Sequence, residues 1–446
     1  MTESKKKELY EKQRKDIEKL FLHGLDTVSP EKIVRSSVSL EDDRLVICGR
    51  SYALPADRRI WVFGSGKAAG RMALELENIL GRRAYDGIVI CPYGLKTATR
   101  RIQQFEAAHP VPDLNSLTAT YELVDVAADV KESDLVIYLV SGGSSSLLCK
   151  PSEELEFDEV RELYRQLLQC GAPIGDVNKI RKSISLVKGG KLRQHFGNAT
   201  VELLAVSDVP GNDPADIGSG PLVDDHVSPG EALELLRKYH IDKKIAARIV
   251  RFLERGGDRT PGSVGSAGLK THVTVVANVE KVAGTIREEA EAMGYNTWVA
   301  EEFVTGEARH AAREIAQKAV ELLARDKPVP KPAALVFYGE TTVTVTGSGK
   351  GGRNQELALS AALALEGQHG ITLLSGGTDG KDGETNAAGA VVNGQSALDA
   401  REKGISPESY LENNDSWTFF KKTDGLLVTG VTGNNLMDIQ IVLVEK

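Results

Sequence analysis

Along most of its length the chain alternates short apolar runs with stretches of helical periodicity. Between Ser4 and Val28, Leu9, Ile17, Leu20, Phe21 and Leu25 recur at helical spacing among many charges, which predicts an amphipathic surface helix whose role is packing. Apolar strands are predicted at 60–64 (IWVFG), 87–94 (GIVICPYG), 135–143 (LVIYLVSGG) and 201–208 (VELLAVSD), with a helical pattern at 68–80 after the first. Strand, loop, helix, strand implies a parallel sheet covered on both faces. The Gly-, Ser- and Pro-rich stretch 256–268 interrupts this pattern as a linker would, and the domain boundary is placed there, between residues 262 and 263. Beyond it, strands at 271–279, 296–303, 335–345, 371–377, 425–430 and 438–444, with a long covering helix near Glu307–Arg325, predict a second α/β unit with a mixed sheet. There is no internal repeat and no low-complexity tract.

Length and composition agree with this division. A chain of 446 residues exceeds the size at which one core keeps growing, so two domains are expected. The 44 glycines lie above the typical usage of about 7% and fall in discrete loops. A formal charge of −8 argues against a nucleic-acid binder, which would concentrate Lys and Arg against phosphates. Cys48, Cys91, Cys149 and Cys170 form no C-x-x-C pair and no dense framework, so they are read as thiols. No apolar run reaches the ~18–20 residues of a membrane helix, and the polar start MTESKKKELYEKQRKD is unlike a signal peptide. A cytoplasmic enzyme, neither membrane-bound nor exported, is the expectation.

The candidate chemistry lies in loops at predicted strand ends. Gly64-Ser65-Gly66-Lys67-Ala68-Ala69-Gly70 joins a strand to a helix, a junction where backbone N–H groups and the helix dipole favour an anion and Lys67 adds a full charge. It matches neither the dinucleotide fingerprint, whose third glycine falls one place earlier and which needs an acid after the next strand, nor the Walker loop. The bland alternative is a tight turn with an exposed Lys. Ser141-Gly142-Gly143-Ser144-Ser145-Ser146 suits a phosphate cradle or a simple turn. The run Asn178-Lys179-Ile180-Arg181-Lys182-Ser183, continued by Lys188-Gly189-Gly190-Lys191, reads on its own as a solvated face and otherwise as the wall of an anionic site. Asp208, in a Pro/Gly loop before Gly218-Ser219-Gly220, is a candidate Mg²⁺ ligand or general base, although Asp and Gly also form turns. Gly347-Ser348-Gly349-Lys350-Gly351-Gly352-Arg353-Asn354 carries two cations into a helix start, where the Arg353 fork suits carboxylate or phosphate. Asp379 and Asp382, after another strand, are candidate metal carboxylates that fall short of an EF-hand. His109, between prolines in HPVPD, is either a substrate-site residue or a structural hydrogen-bonder. Strand ends of open α/β sheets bind ligands, so together these loops suggest a polyanion cleft between two domains, suited to phosphoryl transfer.

In order along the chain, GSGKAAGRMA (64–73), HPVPD (109–113), SGGSSSLL (141–148), the basic segment 181–192, SDVPGNDP with GSGP (207–221), GGRNQE (351–356) and GGTDGKDGETNAAGA (376–390) resemble the glycerate 2-kinase family, whose C-terminal part is called MOFRL. The resemblance spans nearly the whole chain. It implies an α/β protein with a Rossmann-like domain over 1–262, its parallel sheet sandwiched by helices, a MOFRL-type α/β domain over 263–446, and an active site in the cleft between them. The implied reaction is Mg-ATP-dependent phosphorylation of D-glycerate at the 2-hydroxyl. Lys67 and Arg353 are the implied catalytic pair, with Asp208 added as a third candidate. Gly64, Ser65, Gly66, Ser141, Gly142, Gly143, Ser144, Lys188, Gly189, Gly218, Ser219, Gly220, Gly351, Gly352 and Asn354 are the expected substrate- and nucleotide-binding positions, and Asp208 and Asp379 the expected metal ligands. Ser144 for glycine, Leu222 for threonine and Asn386 for aspartate depart from the family pattern and leave room for a related hydroxy acid as substrate. The rival readings are a nicotinamide-dependent hydroxypyruvate reductase and a non-catalytic sensor. The oligomeric state is left between monomer and homodimer.

Overall fold

The structure is a computed structural model that describes residues 3–258 and 269–445. The expected boundary at 262/263 lies outside the described residues. The chain divides into two compact units, Pro30–Ala277 and a discontinuous unit of Met1–Ser29 with Asn278–Lys446.

In the Pro30–Ala277 unit, a small antiparallel sheet of β1 (Val38–Glu41), β2 (Arg44–Ile47) and β3 (Arg50–Ala53) precedes the main sheet. The main sheet contains β4 (Ile60–Ser65), β5 (Ala84–Asp86), β6 (Ile88–Pro92), β7 (Gln103–Ala107), β8 (Leu135–Val140), β9 (Thr200–Val206) and β10 (Thr271–Ala277). Its order is β10-β9-β8-β4-β6-β7, every pairing is parallel, and β5 lies beside β4. All residues of β4 and β8 are buried, which requires cover on both faces and explains why these strands read as unbroken apolar runs. From β4 the chain first builds outward through β6 and β7, then returns to the other side of β4 for β8, β9 and β10. Strand order therefore reverses between β4 and β8, the place where open α/β sheets bind ligands. Helices Phe157–Gln169, Ile174–Ser183, Pro229–Lys238 and Ala247–Glu254 form a separate apolar cluster that the alternating pattern did not predict.

The other unit holds a mixed sheet of β11 (Asn296–Val299), β12 (Ala333–Gly339), β13 (Ile371–Gly377), β14 (Gly389–Asn393), β15 (Leu426–Leu427) and β16 (Asp438–Val444), in the order β11-β12-β16-β13-β14-β15. Only β11 and β12 are parallel. Helices Ala308–Arg325 and Arg353–Ala364 pack on one another and share a core with this sheet. The predicted N-terminal helix is present as Glu3–Thr27, but it is not an appendage of the nearer sheet. Ile17, Leu20 and Phe21 are fully buried, and the helix packs on Val279–Ala292, β13 and β16. β10 in turn extends the parallel sheet by pairing with β9, so the first unit runs past the Gly-rich linker. Both shifts from the expected division have one cause, which is pairing between segments far apart in sequence.

Candidate active site

The reversal point brings two predicted loops side by side. After β4, the Lys67 N–H donates to Gly142 O (2.9 Å) and the Ala68 N–H to Ser141 Oγ (3.0 Å), so the Lys67 loop is laced to the loop after β8. Gly66 has φ +134, and a Cβ there would stand 2.1 Å from Ser141 Oγ, which only glycine avoids. Beneath them Ser65 Oγ and Ser144 Oγ lie 2.5 Å apart. Among the described residues neither the Gly142 nor the Gly143 N–H has an acceptor, which leaves a pair of backbone donors of the kind that holds anions.

Other predicted positions join this ring. Asp208, after β9, abuts Gly142: a Cβ on that glycine would come within 2.5 Å of its carboxylate. Gly218 packs against Ser144, and Ser219 exchanges hydroxyl contacts with Ser145 (2.8 Å) and Asn178 (2.9 Å). The Gly189 N–H reaches Ser219 O (3.1 Å) and the Gly190 N–H reaches Gly220 O (2.8 Å). His109 lies against Gly143, whose φ of +88 and lack of Cβ admit the ring. Although His109 as a residue is exposed, partial enclosure of its ring together with the Lys67 and Arg181 charges pushes it down to about 4, so the imidazole is neutral at physiological pH.

The basic run at 178–191 is not a solvated face. Lys179 pairs with Glu231 (2.7 Å), and Lys182, almost fully buried, pairs with Asp216 (3.4 Å) and Asp225. Lys191 donates to the carbonyls of Lys182 and Ser185. Lys188, expected to bind ligand, is completely buried, and its ammonium donates to Leu148 O (2.6 Å). Burial pushes it down to about 7. Its side chain is spent inside the fold on that carbonyl. That corrects the expectation for Lys188.

In the second unit Arg353 opens the helix Arg353–Ala364 and is pinned by two carboxylates. Nε and Nη2 fork onto Asp438 (2.6 and 3.0 Å), and Nη1 reaches Glu340 (2.6 Å). Burial opposes the Arg353 charge, but these partners outweigh it and hold the guanidinium above its ordinary range; burial also pushes Asp438 up to about 6. Asp438 and Glu340, at the ends of β16 and β12, were not singled out from the sequence. For Asp438 the available signal was an acid heading a mostly apolar strand, DIQIVLV.

Asp382, named as a possible metal carboxylate, accepts instead from the Asn354 N–H (3.0 Å), the Gln355 N–H (2.8 Å) and Gln355 Nε2 (3.0 Å), and so anchors the start of this helix. Gly352 lets it approach, since a Cβ there would be 2.4 Å from Asp382 Cγ. Asn354, an expected ligand contact, is likewise interior: its side chain joins Ser375 Oγ (2.7 Å) to Asp382. Nor is the loop 346–350 a free anion cradle. Its N–H groups donate to Asn413, Asn414 and Asp415 side chains, and glycines 347 and 349 permit that close approach. Gly351 closes against Ser416. Asp379 is half-buried and accepts from the Lys381 N–H (3.0 Å). Among the described residues no group of three or more His, Cys, Asp or Glu could hold a metal ion, and no helix is long and apolar enough to cross a membrane.

Residues 16–254 match the family described as a domain of unknown function (DUF4147), and residues 333–438 match the MOFRL family. A D-glycerate 2-kinase of Thermotoga maritima is 40% identical over 387 residues, which are 86% of this chain and 91% of that protein. The chain belongs to the glycerate 2-kinase family. The crystal structure of a glycerate kinase from Thermotoga maritima superposes with a TM-score of 0.85 at 36% identity, covering 97% of this chain and 100% of that one. A protein of Agrobacterium vitis with the provisional name hydroxypyruvate reductase is 38% identical over 389 residues, 86% of this chain and 99% of that protein.

Proposed function

We propose that this chain is an ATP-dependent D-glycerate 2-kinase that forms 2-phosphoglycerate and ADP, with Lys67 and the Ser141–Ser144 loop as the phosphoryl-handling centre of the Pro30–Ala277 unit. The observation that carries the reading is the juxtaposition of the two small-residue loops where strand order reverses, with Lys67 and two unclaimed backbone N–H groups on one rim. Phosphoryl transfer asks a protein chiefly for positioned positive charge and an acceptor held in line. Lys67 and the Gly142 and Gly143 N–H groups supply the charge and donors, and neutral His109 offers a hydrogen-bond acceptor for the substrate hydroxyl without adding charge. Arg353, held in place by Asp438 and Glu340, contributes a fixed guanidinium from its own unit.

The donor set fits Mg²⁺ that arrives on nucleotide phosphates rather than in a protein cage, because such ions take one or two protein carboxylates and keep phosphate and water ligands. Asp208, beside Gly142, is the carboxylate proposed to hold it, with Asp379 the second candidate; the ion would supply charge neutralisation at the phosphoryl group. The reductase reading lacks its cofactor signature: β6 ends in Cys91-Pro92 and is followed by Tyr93, with no acid to take a ribose. The test incubates ATP with D-glycerate and couples product to enolase without mutase. Signal is expected from the native chain and should fall about 10²-fold or more in Lys67→Ala and Arg353→Ala, as for loss of other charge-stabilising groups. Signal that requires mutase, or NADH oxidation with hydroxypyruvate and no ADP, overturns the reading.

A further inference from the structure

Arg181 is the one basic side chain of the 178–191 run whose charge nothing in the fold answers. Its neighbours Lys179 and Lys182 have carboxylates, and Lys188 and Lys191 have carbonyls. Arg181 is only 5% exposed, yet none of its five N–H donors has an acceptor among the described residues, and its Nε is fully enclosed without a partner. Its single contact of note is with the Tyr164 ring, 4.8 Å from the guanidinium carbon. An almost fully buried guanidinium with an enclosed, unpartnered Nε is costly to desolvate, and folds keep such groups where a ligand completes them. The location favours that explanation. Arg181 is on the Ile174–Ser183 helix one turn from Asn178, which holds Ser219. Tyr164 donates to Ser145 O (3.3 Å), and the Arg181 charge bears on His109 together with that of Lys67.

Resting on the kinase reading above, we infer that Arg181 is the clamp for the carboxylate of the hydroxy-acid substrate, a guanidinium fork linked through Tyr164 to the Ser144–Ser146 turn that selects an acid over a neutral polyol or amide. Phosphate is the other oxyanion an Arg fork accepts, but the half-buried Lys67 and the backbone donors of Gly142 and Gly143 already serve that chemistry. A nearly enclosed fork is reached only by the compact end of a small ligand. Two parallel N–H···O bonds suit the planar carboxylate, and an amide cannot satisfy both.

The experiment compares the native enzyme with Arg181→Lys and Arg181→Gln in steady-state assays with D-glycerate and D-glyceramide, alongside thermal melts. Arg181→Gln should raise KM for D-glycerate at least tenfold, change KM for ATP less than about twofold, and shrink the preference for acid over amide by a similar factor, with Arg181→Lys intermediate. The melting temperature should hold or rise, because an uncompensated buried charge is removed. A parallel rise in KM for ATP would move Arg181 to the nucleotide. An unchanged acid-to-amide preference with a lowered melting temperature would make it structural. Either result overturns the assignment while leaving the kinase reading intact, whereas absence of glycerate-dependent ADP from the native chain would overturn the kinase reading itself.

Discussion

Lys188 and Arg181 are buried cations seven residues apart in sequence, and they behave differently. Lys188 has a carbonyl acceptor within the fold and no opening to solvent, so its cost is one of stability and follows pH. Its folded value of about 7 lies below the ordinary 10.5, so between those values the unfolded chain binds more protons and stability rises with pH. The burden is full below pH 7 and fades as pH climbs through the window. Lys188→Met removes it. The difference in melting temperature, variant minus native, should therefore be most favourable to the variant near pH 6 to 7 and shrink steadily by pH 10. A difference independent of pH would mean that the ammonium keeps its ordinary proton affinity in the folded protein.

The helix Arg353–Ala364 shows how an element places a candidate functional group. Asp382 fixes its first N–H groups, Gly352 provides the space for that carboxylate, and Arg353 is thereby presented to Asp438 and Glu340. Gly352→Ala puts a methyl group 2.4 Å from Asp382 Cγ, so either the helix start or the 382 turn must yield. Activity should drop at least tenfold, which corresponds to about 1.4 kcal/mol of transition-state stabilisation, while the melting temperature falls by only a few degrees. Full activity in this variant would detach Arg353 from the reaction. At this scale much was legible in the sequence: fully buried parallel strands are continuous apolar runs, and the helix at Ala308–Arg325 lies within a residue of its predicted span. The roles of the glycines were not. Glycine 347 and glycine 349 resemble a phosphate loop, yet they serve a close approach to Asn413 and Asp415, a contact 65 residues away in sequence. For the same reason the basic run looked like a solvated face. Burial of Arg181 and Lys182 is decided by the helical cluster around them; its apolar residues recur at helical spacing, as Val160, Leu163, Tyr164 and Leu167 do, which marks a covered face without saying what lies against it.

At the scale of the molecule, the first helix belongs to the unit encoded last. Glu3–Thr27 runs antiparallel to Val279–Ala292, as its contacts locate it: Lys12 to Tyr295, Lys19 to Glu289 and Thr27 to Thr285. Phe21 reaches Gly376 on β13, where a Cβ would come within 2.7 Å of its ring, and Gln13 joins Thr372 (2.8 Å) and Gly370 O (3.1 Å). Ile17, Leu20 and Phe21, each worth roughly 1.5–3 kcal/mol when buried, cover one face of that sheet. A fragment starting after the Gly-rich linker would therefore expose this face, even though it contains every strand of the sheet. Residues 278–446 expressed alone should aggregate or melt without cooperativity. The same residues preceded by 1–29 through a short Gly/Ser linker should be monodisperse and unfold in one transition followed by circular dichroism, because the antiparallel pairing leaves the two joined ends on the same side. If the fragment lacking residues 1–29 melts as sharply and at the same temperature as the fusion, the first helix is dispensable cover, and the unit's core closes without it.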